Sequence, residues 1–310
     1  MVTSRLKIGT RGSPLALWQA RWVEEALRQT SSQVDFELVP IRTLSEKFPE
    51  RPAAEIGTGI FTRELDDALR RGEVDFAVHS LKDIPSQLES DLVIAAVPRR
   101  ESPLDTFLSR DGTPLEKLPA GAKIGTGSPR RKAQLLHYRD DLEILPLRGN
   151  VATRIRKVRE RGLAGTVLAH AGLKRLGKET HITQVIGPEI LVPAVGQGAL
   201  AVTTCTERDD IRALLTTLDD PTSHTQITAE RGFLRTLRGG CQVPAGALAS
   251  YEGEETLRIL GAVASVDGSE CLRGELTGPV GEAEALGVRL AEQLLAQGGD
   301  RVLAGIVNRE

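Results

Sequence analysis

The most distinctive chemical setting in the sequence is that of Cys241. Two glycines precede it and Pro244 follows, so the thiol is expected on a loop that backbone or ligand can approach closely. Arg235 and Arg238 lie shortly before it, and nearby cations favour the thiolate, the nucleophilic form of cysteine. A small buried core residue is the alternative, since most free cysteines are of that kind. The stretch therefore indicates either a reactive thiol or a packing role.

A second group of polar side chains lies where a predicted strand ends. Residues 74–78 have the pattern of a buried strand, and Ser80, Lys82 and Asp83 follow it closely. In open α/β sheets ligands bind beyond the carboxyl ends of the strands, which makes these three side chains candidates for a site. A solvated turn closed by Pro85 is the alternative.

Twice along the chain, a predicted strand is followed by a turn that contains glycine and serine, and then by a predicted helix that begins with proline. In the first case Ser13 is the expected N-cap and Pro14 the first helical residue. In the second case Ser128 and Pro129 take the same places. Free N–H groups and the positive dipole end at such a helix start favour an anion, and a plain cap is the alternative. The repeat predicts two related α/β domains that offer anion sites to a shared cleft.

Arginine is far more common than lysine, with 31 residues against 9, and arginine suits bidentate capture of carboxylate or phosphate. A genome rich in arginine codons is the other explanation for most of this excess. Arg148 and Arg154 flank the start of a predicted helix over residues 151–160, where a cation is unfavourable unless an anion joins it. Arg130 and Arg131 reinforce the second helix start in the same way. These positions predict an anion-binding surface.

Length and composition are those of a globular protein of two or three domains. The 310 residues are 40% hydrophobic and 26% charged with a formal net charge of -2, which gives no general attraction to nucleic acid or membrane. The three cysteines lack the spacing of a zinc site or a disulfide framework. His170 and His181 have no partner spacing and are expected to be structural. Without a secretory signal or a long apolar run, the sequence predicts a cytoplasmic protein.

Predicted strands and helices alternate along the chain in an α/β rhythm. A break at residues 99–103 and a return through residues 193–199 predict two periplasmic-binding-protein-like α/β domains forming a cleft, plus a small α+β C-terminal domain. The expected domains are residues 1–98 with 197–217, residues 99–196, and residues 218–310. Residues 42–58 lack periodicity and are expected to be a mobile lid or disordered.

Four motifs, in this order, resemble the signatures of the porphobilinogen deaminase or hydroxymethylbilane synthase family: GTRGSPLA at residues 9–16, HSLKDIP at 79–85, PAVGQGA at 193–199 and GGCQVPAG at 239–246. They are spread over essentially the whole chain, which makes the match specific. The resemblance implies a transferase of tetrapyrrole and haem biosynthesis that condenses four porphobilinogen molecules head to tail with loss of ammonia. It also implies a dipyrromethane primer, bound covalently through Cys241, and release of hydroxymethylbilane by hydrolysis.

The resemblance also assigns roles to individual side chains. Asp83 is expected to be the catalytic carboxylate, which stabilises the positive charge that develops as ammonia leaves. The implied cofactor-binding residues, besides Cys241, are Lys82, Ser80, Thr126, Ser128, Arg130, Arg131 and Arg154. The implied substrate-binding residues are Arg11, Ser13, Gln19, Arg148, Arg154, Arg175 and Gln197. No metal is implied.

Two positions depart from the family pattern. The usual Gly-Lys-Gly of the mobile loop is here a Gly-Thr-Gly centred on Thr58, so a lysine contact is missing. Gly127 stands where a serine is usual, so one hydroxyl contact is missing as well.

The resemblance implies few partners. They are the small-molecule substrate porphobilinogen and, for a transient handover of the product, uroporphyrinogen-III synthase. The protein is expected to be a monomer that binds neither nucleic acid nor membrane.

Three other functions suit parts of the same pattern. A clamshell protein that holds a carboxylate or oxyanion without chemistry would use the same crossings and helix starts, although a periplasmic carrier would need a signal peptide. A ligand-sensing regulatory domain would be expected beside a DNA-binding segment, which the sequence does not indicate. Cysteine-dependent hydrolysis would need a histidine partner for Cys241, and His224 is the candidate in that domain.

Overall fold

The computed structural model describes residues 5–31, 34–44, 59–238 and 243–307. The chain consists of alternating strands and helices and forms two compact units. The first unit comprises Met1–Glu101 and Gly198–His224, and the second comprises Ser102–Gln197 and Thr225–Glu310. The elements are, in chain order, β1 (Arg5–Arg11), α1 (Pro14–Thr30), β2 (Asp35–Ile41), α2 (Arg63–Arg70), β3 (Phe76–Ser80), β4 (Leu92–Ala96), β5 (Asp105–Ser109), β6 (Lys123–Gly125), α3 (Pro129–Tyr138), β7 (Glu143–Leu145), α4 (Val151–Glu160), β8 (Gly165–Ala169), α5 (His170–Arg175), β9 (Gln184–Ile186), β10 (Leu200–Cys205), α6 (Asp209–Thr216), α7 (Pro221–Thr236), β11 (Ala245–Tyr251), β12 (Thr256–Ala264), β13 (Cys271–Pro279), α8 (Ala283–Leu294) and α9 (Asp300–Val307).

The first unit is organised around a five-stranded sheet in the order β2-β1-β3-β10-β4. Strand β1 runs parallel to β2 and β3, whereas β10 is antiparallel to β3 and β4. Helix α1 packs on this sheet because Ala20, Val23 and Leu27 recur at helical spacing and are buried. They share one core with Ile8 and Phe76 of the sheet. Since β1 and β3 are parallel, their carboxyl ends meet at one edge.

The larger sheet of the second unit repeats this arrangement in the order β7-β6-β8-β5-β9. Strand β6 is parallel to β7 and β8, and β5 is antiparallel to β8 and β9. Phe107, Ile124, Leu135 and Val167 form its buried core. Because the two sheets agree in strand order and in direction, the prediction of two related α/β domains is confirmed.

The C-terminal part of the second unit is a three-stranded antiparallel sheet in the order β11-β12-β13. Phe233 of α7 and Leu290 of α8 pack against Ile259 of this sheet in one buried cluster. The two helices approach closely, because a Cβ atom on Gly287 would lie 1.9 Å from the Ala229 carbonyl oxygen. With this small α+β part, the predicted mixed fold of two α/β domains and a small C-terminal domain is confirmed, whereas the cleft stays a prediction.

Some elements differ from the expectation. Strands β5 and β9 are not predicted by the sequence pattern, since each is short and lacks a clear alternation. The sequence pattern predicts a helix over residues 226–237, and the structure has it as α7, which begins earlier, at Pro221. The final helix is expected over residues 280–297 and is present there as α8, but the structure adds a second helix, α9, after Gly298 at φ 104. The three-domain boundaries drawn from the sequence stay a prediction.

Replacing Gly287 by alanine is expected to destabilise the protein by about 1–3 kcal/mol. The new methyl group would lie 1.9 Å from the Ala229 carbonyl oxygen and 2.8 Å from the Phe233 amide nitrogen, and backbone atoms cannot move aside cheaply. Urea unfolding measures the change. Gly281→Ala is the matched control, since a Cβ atom there has no heavy atom within 4 Å. Equal unfolding midpoints for the two variants would contradict the close helix approach.

Candidate active site

Asp83 lies in a short 3-10 turn that follows strand β3. The turn begins at the buried Leu81, whose N–H donates to the Ala199 carbonyl at 3.0 Å. It closes where the Ile84 N–H donates back to the Leu81 carbonyl at 3.0 Å. These bonds keep the partly exposed Asp83 side chain at the carboxyl end of β3, where the sequence predicts a site.

Arg11, the last residue of β1, forms an ion pair with Asp83. The distance from Arg11 Nη1 to Asp83 Oδ2 is 3.7 Å, and the side chains are 21% and 26% exposed. The Arg11 guanidinium carbon also lies 4.8 Å from the centre of the Phe61 ring, which is a cation–π contact. The structure therefore brings two predicted residues together while both remain accessible. Phe61 is missed by the sequence analysis, because a single phenylalanine carries no distinguishing pattern.

Gln19 and Ser80 meet at the same edge of the sheet. The Gln19 Nε2 donates to Ser80 Oγ at 2.8 Å, and Gln19 is only 2% exposed. Ser13 is the N-cap of α1, as predicted, and its Oγ accepts the Ala16 N–H at 3.3 Å. Gln19 and Ser80 thus position each other, and Ser13 fixes the start of helix α1. All three follow or face the strand ends that carry Arg11 and Asp83.

His79 lies just before Ser80 on β3 and is buried. Its Nε2 is 3.1 Å from Thr203 Oγ1. Burial, and to a smaller extent the positive charge of Arg11, lowers the pKa of His79 from 6.5 to about 4. The ring is therefore neutral at neutral pH, so that it adds no charge beside Arg11.

The free energy of unfolding is expected to decrease as the pH falls from 6.5 towards 4, by up to ~3 kcal/mol from His79 alone. In that range the unfolded histidine binds a proton and the folded one does not, so stability is lost with acidification. Asp66 acts in the opposite direction, because burial raises its pKa to about 6. Comparing wild type with His79→Gln in urea unfolding at pH 7 and pH 5 isolates the histidine contribution. The same loss in both proteins would contradict it.

In the second unit, Ser128 is the N-cap of helix α3, as the sequence predicts. Its Oγ accepts the Arg131 N–H at 3.4 Å, and Thr126 Oγ1 accepts the Ser128 N–H at 3.2 Å. A Cβ atom on Gly127 would lie 3.0 Å from the Leu147 carbonyl oxygen, so the turn approaches that chain closely at its glycine. The predicted hydroxyls therefore lie together at the helix start.

Arg130 and Arg131 share one buried carboxylate, that of Asp105. Arg130 Nη2 lies 2.8 Å and Arg131 Nη2 2.6 Å from its oxygens, and none of the three side chains is more than 6% exposed. The guanidinium groups also donate to backbone carbonyls, Arg130 to Val192 at 2.7 Å and Arg131 to Val167 at 2.9 Å. The pair is therefore rigidly positioned.

The cluster of Asp105, Arg130 and Arg131 holds two positive charges and one negative charge. Burial lowers the pKa of Arg130, Asp105 opposes that shift, and Arg131 adds to it. Arg130 Nε is buried and has no hydrogen-bond partner among the described residues. An additional anion would balance the charge, and a carboxylate could satisfy this donor. The cluster has the chemistry of an anion-binding site.

Asp105 is the second residue that the sequence analysis misses. It opens β5, a strand that the sequence pattern does not predict. The available signal was an acidic residue two positions before the apolar residues 107–108, since acidic side chains are almost never fully buried unless they are paired. The sequence analysis therefore identified Arg130 and Arg131 of this cluster but not Asp105.

Arg148, Arg154 and Arg175 lie around helices α4 and α5. Asn150 is the N-cap of α4, and Arg154 in its first turn donates from Nε to the Gly149 carbonyl at 2.7 Å. Arg175 is the last residue of α5, where a cation is favourable to the helix dipole. Their roles as substrate-binding residues stay predictions.

The remaining predicted positions are less informative. Gln197 is fully buried, and its Nε2 donates to the Pro103 carbonyl at 2.8 Å. Cys241 and Thr58 lie outside the described residues, and so does most of the predicted mobile loop. His224 Nδ1 is 2.8 Å from Asp219 Oδ1, so this histidine has a carboxylate partner.

Two kinds of feature are missing from the part of the chain that the structure describes. There, no group of three or more His, Cys, Asp and Glu side chains has an arrangement that could hold a metal ion. The helices of the same residues are too short or too polar for any of them to cross a membrane.

Two family models match the chain. One, described as "Porphobilinogen deaminase, dipyromethane cofactor binding domain", matches residues 6–213. The other, "Porphobilinogen deaminase, C-terminal domain", matches residues 224–296. The chain belongs to the porphobilinogen deaminase family. The identification from the four motifs is confirmed, and an enzyme rather than a clamshell binding protein is shown.

Similar proteins from other organisms span nearly the same length. A porphobilinogen deaminase of Desulfitobacterium hafniense is 49% identical over 97% of this chain and 97% of its own. One of Syntrophotalea carbinolica is 47% identical over 99% of this chain and 97% of its own. A solved structure, the BvgS VFT2 domain of Bordetella pertussis, aligns with a TM-score of 0.42 and 15% identity over 69% of this chain and 85% of that domain.

The cofactor of this porphobilinogen deaminase family member is dipyrromethane, attached through Cys241. Its rings carry carboxylates, and the second unit offers a buried cluster around Asp105 with an excess positive charge. The orphaned Arg130 Nε and the Ser128 helix start suit such a group. The residues of the structure therefore fit the cofactor.

Proposed function

We propose that this chain joins four porphobilinogen molecules head to tail, with loss of ammonia at each addition, and hydrolyses the product to hydroxymethylbilane. Dipyrromethane, when bound, supplies the pyrrole ring on which the new chain is started. The ion pair of Arg11 with Asp83 carries the proposal. It presents a carboxylate and a guanidinium at adjoining strand ends, within reach of a substrate that has both an amine and carboxylates.

Asp83 is proposed as the catalytic carboxylate. The substrate becomes positively charged when its amine leaves as ammonia, and a nearby carboxylate lowers the energy of that charge. The same oxygen atoms can accept or return the proton of a pyrrole N–H group. The 3-10 turn holds Asp83 in place, so its carboxylate needs no rearrangement as the charge develops.

Cationic and hydroxyl side chains are proposed to bind the carboxylates, because each pyrrole ring brings an acetate and a propionate. Support comes from the excess positive charge beside Asp105 and from the two capped helix starts. The groups proposed for the cofactor are Lys82, Ser80, Thr126, Ser128, Arg130, Arg131 and Arg154. The groups proposed for incoming substrate are Arg11, Ser13, Gln19, Arg148, Arg154, Arg175 and Gln197.

The cellular setting is proposed on chemical grounds. Cys205 and Cys271 are free thiols, which suits a reducing cytoplasm.

All groups proposed for the reaction come from one chain, which suits a monomer. The product is proposed to pass transiently to uroporphyrinogen-III synthase. The division into residues 1–98 with 197–217, 99–196 and 218–310 belongs to the same proposal.

The purified protein is expected to carry extra mass equal to two linked pyrrole rings on the peptide that contains Cys241. A carbon–sulfur bond survives unfolding, so intact mass under denaturing conditions followed by peptide mapping measures it. An unmodified preparation is expected to gain that mass on incubation with porphobilinogen. A chain that neither carries nor gains it would overturn the proposed function.

Asp83→Asn is expected to lower kcat by about 10²–10⁴-fold, because the amide has neither the charge nor the basicity of the carboxylate. Steady-state ammonia release measures the loss, and circular dichroism confirms the fold. Asp209→Asn is a matched control, since the Asp209 side chain is 88% exposed on α6. Wild-type turnover in Asp83→Asn would rule out this carboxylate as the catalytic group.

A further inference from the structure

Residues 148–161, which comprise helix α4 and the residues that flank it, are strongly basic. They contain six arginine or lysine residues and one acid, Glu160. The whole chain, in contrast, has a formal net charge of -2. A local excess of cations belongs either to a solvated helix face or to a site for an anionic ligand. The side-chain contacts of the stretch distinguish the two.

Three of these side chains form a row along one face of α4. Arg154, Lys157 and Arg161 are separated by three and four residues, a spacing that makes them neighbours on a helix surface. At a rise of 1.5 Å per residue, the row extends about 10 Å along the helix axis. It begins at Arg154, which is proposed to bind substrate, and leads away from it. We call these three residues the basic row.

The backbone of residues 146–149, which precede α4, holds the side chains of the basic row. Arg161 Nη1 donates to the Pro146 carbonyl at 2.7 Å, and Lys157 Nζ donates to the Arg148 carbonyl at 3.3 Å. The bond of the Arg154 side chain to the carbonyl of residue 149 completes the series. The contacts follow opposite orders in the two segments, so the basic row and residues 146–149 lie side by side in opposite directions.

Apolar contacts join the same two segments. Leu147 is fully buried and packs with Val158 of α4 and with Leu163 in one cluster. Residues 146–149 are therefore fixed beside α4, and their carbonyl groups keep the basic row in position.

The single acid of the stretch does not neutralise the basic row. Glu160 Oε1 lies 3.0 Å from Arg156 Nε, and the spacing places Arg156 on the other side of α4. Within the described part of the chain, neither Lys157 nor Arg161 has a carboxylate at ion-pair distance. Each donates once to a carbonyl, whereas an ammonium has three N–H donors and a guanidinium five. The remaining donors suit charge-assisted bonds to a carboxylate.

We propose that Lys157 and Arg161 extend the proposed substrate site of Arg148 and Arg154, so that the basic row binds carboxylates of the growing pyrrole chain. Each added ring brings two carboxylates, so a chain of linked rings needs more cations than one substrate molecule does. Cations that recur along a helix suit a ligand whose carboxylates recur along its length. The inference rests on the proposed function and adds two binding residues to it.

The test follows the successive ring additions separately by intact mass. The purified protein is mixed with limiting porphobilinogen and quenched in acid at chosen times, and the species with one, two and three added rings are quantified. Each addition forms a bond to the aminomethyl carbon of the new ring and breaks its carbon–nitrogen bond, and ammonia leaves with the displaced proton. The rate of each addition is thus obtained from one experiment.

Lys157→Met combined with Arg161→Met is expected to slow the third addition about three- to tenfold, because two partly screened contacts to carboxylates are lost. The first addition is expected to keep the wild-type rate, since Arg148 and Arg154 remain for the first ring. Circular dichroism checks that the double variant is folded.

Arg156→Met combined with Arg159→Met is the matched control. It removes the same charge from the same helix at two exposed positions on the side away from the basic row. All additions are expected to keep the wild-type rate. Equal slowing by the two double variants would overturn the proposal, because the total charge and not the basic row would then decide the rate.

A binding measurement tests the basic row without any reaction. Benzenehexacarboxylate is a probe with six carboxylates, and its affinity is measured by isothermal titration calorimetry. The methionine pair at residues 157 and 161 is expected to weaken its binding about three- to tenfold. Lys157→Arg combined with Arg161→Lys keeps both charges and is expected to bind the probe and add the third ring as wild type does. A loss in this variant as large as in the methionine pair would contradict a role for the charges.

The outcomes separate the two proposals. If wild-type protein neither carries nor gains the pyrrole mass, the proposed function is wrong and the inference is overturned with it. If wild type adds rings and the methionine pair at residues 157 and 161 adds the third ring equally fast, only the role of the basic row is overturned.

Discussion

The second unit depends on one buried carboxylate, that of Asp105. Two guanidinium groups cannot remain in a protein interior without an opposing charge, since each loses several kcal/mol of hydration. Asp105 compensates part of this cost and sets the spacing of Arg130 and Arg131. Because one positive charge remains in excess, the same arrangement that permits burial also prepares the site for an anionic ligand.

The first unit also pairs a guanidinium group with a carboxylate, but this pair lies nearer the protein surface. Arg11 and Asp83 are partly exposed, and their separation of 3.7 Å is longer than those within the Asp105 cluster. Water screens such a pair, so its members are weakly bound to each other and remain available to another charged group. Burial thus distinguishes a fixed ion cluster in one unit from an accessible ion pair in the other. His79 is neutral at neutral pH because burial lowers its pKa, so it adds no positive charge near Arg11.

The repeated sheet explains why both units place their polar residues at strand ends. In each sheet a helix with a serine N-cap follows a parallel strand next to the central one, α1 after β1 and α3 after β6. Parallel strands present their carboxyl ends together, so residues distant in sequence become neighbours there. The three-stranded sheet adds a different element, because its strand β11 and the helix α7 lead the chain to and from Cys241.

The sequence by itself determined the family, the alternation of strands and helices and the two capped helix starts, and it predicted Arg11 and Asp83 as site residues without showing that they pair. These follow from local patterns and from motifs, which depend on neighbouring residues. Only the tertiary structure decided that Asp105 opposes Arg130 and Arg131, and that Gln134 and Glu230 meet residues 192–196. Such contacts join positions far apart along the chain, and burial rather than residue type makes them important. A local sequence pattern does not show which of these distant positions meet.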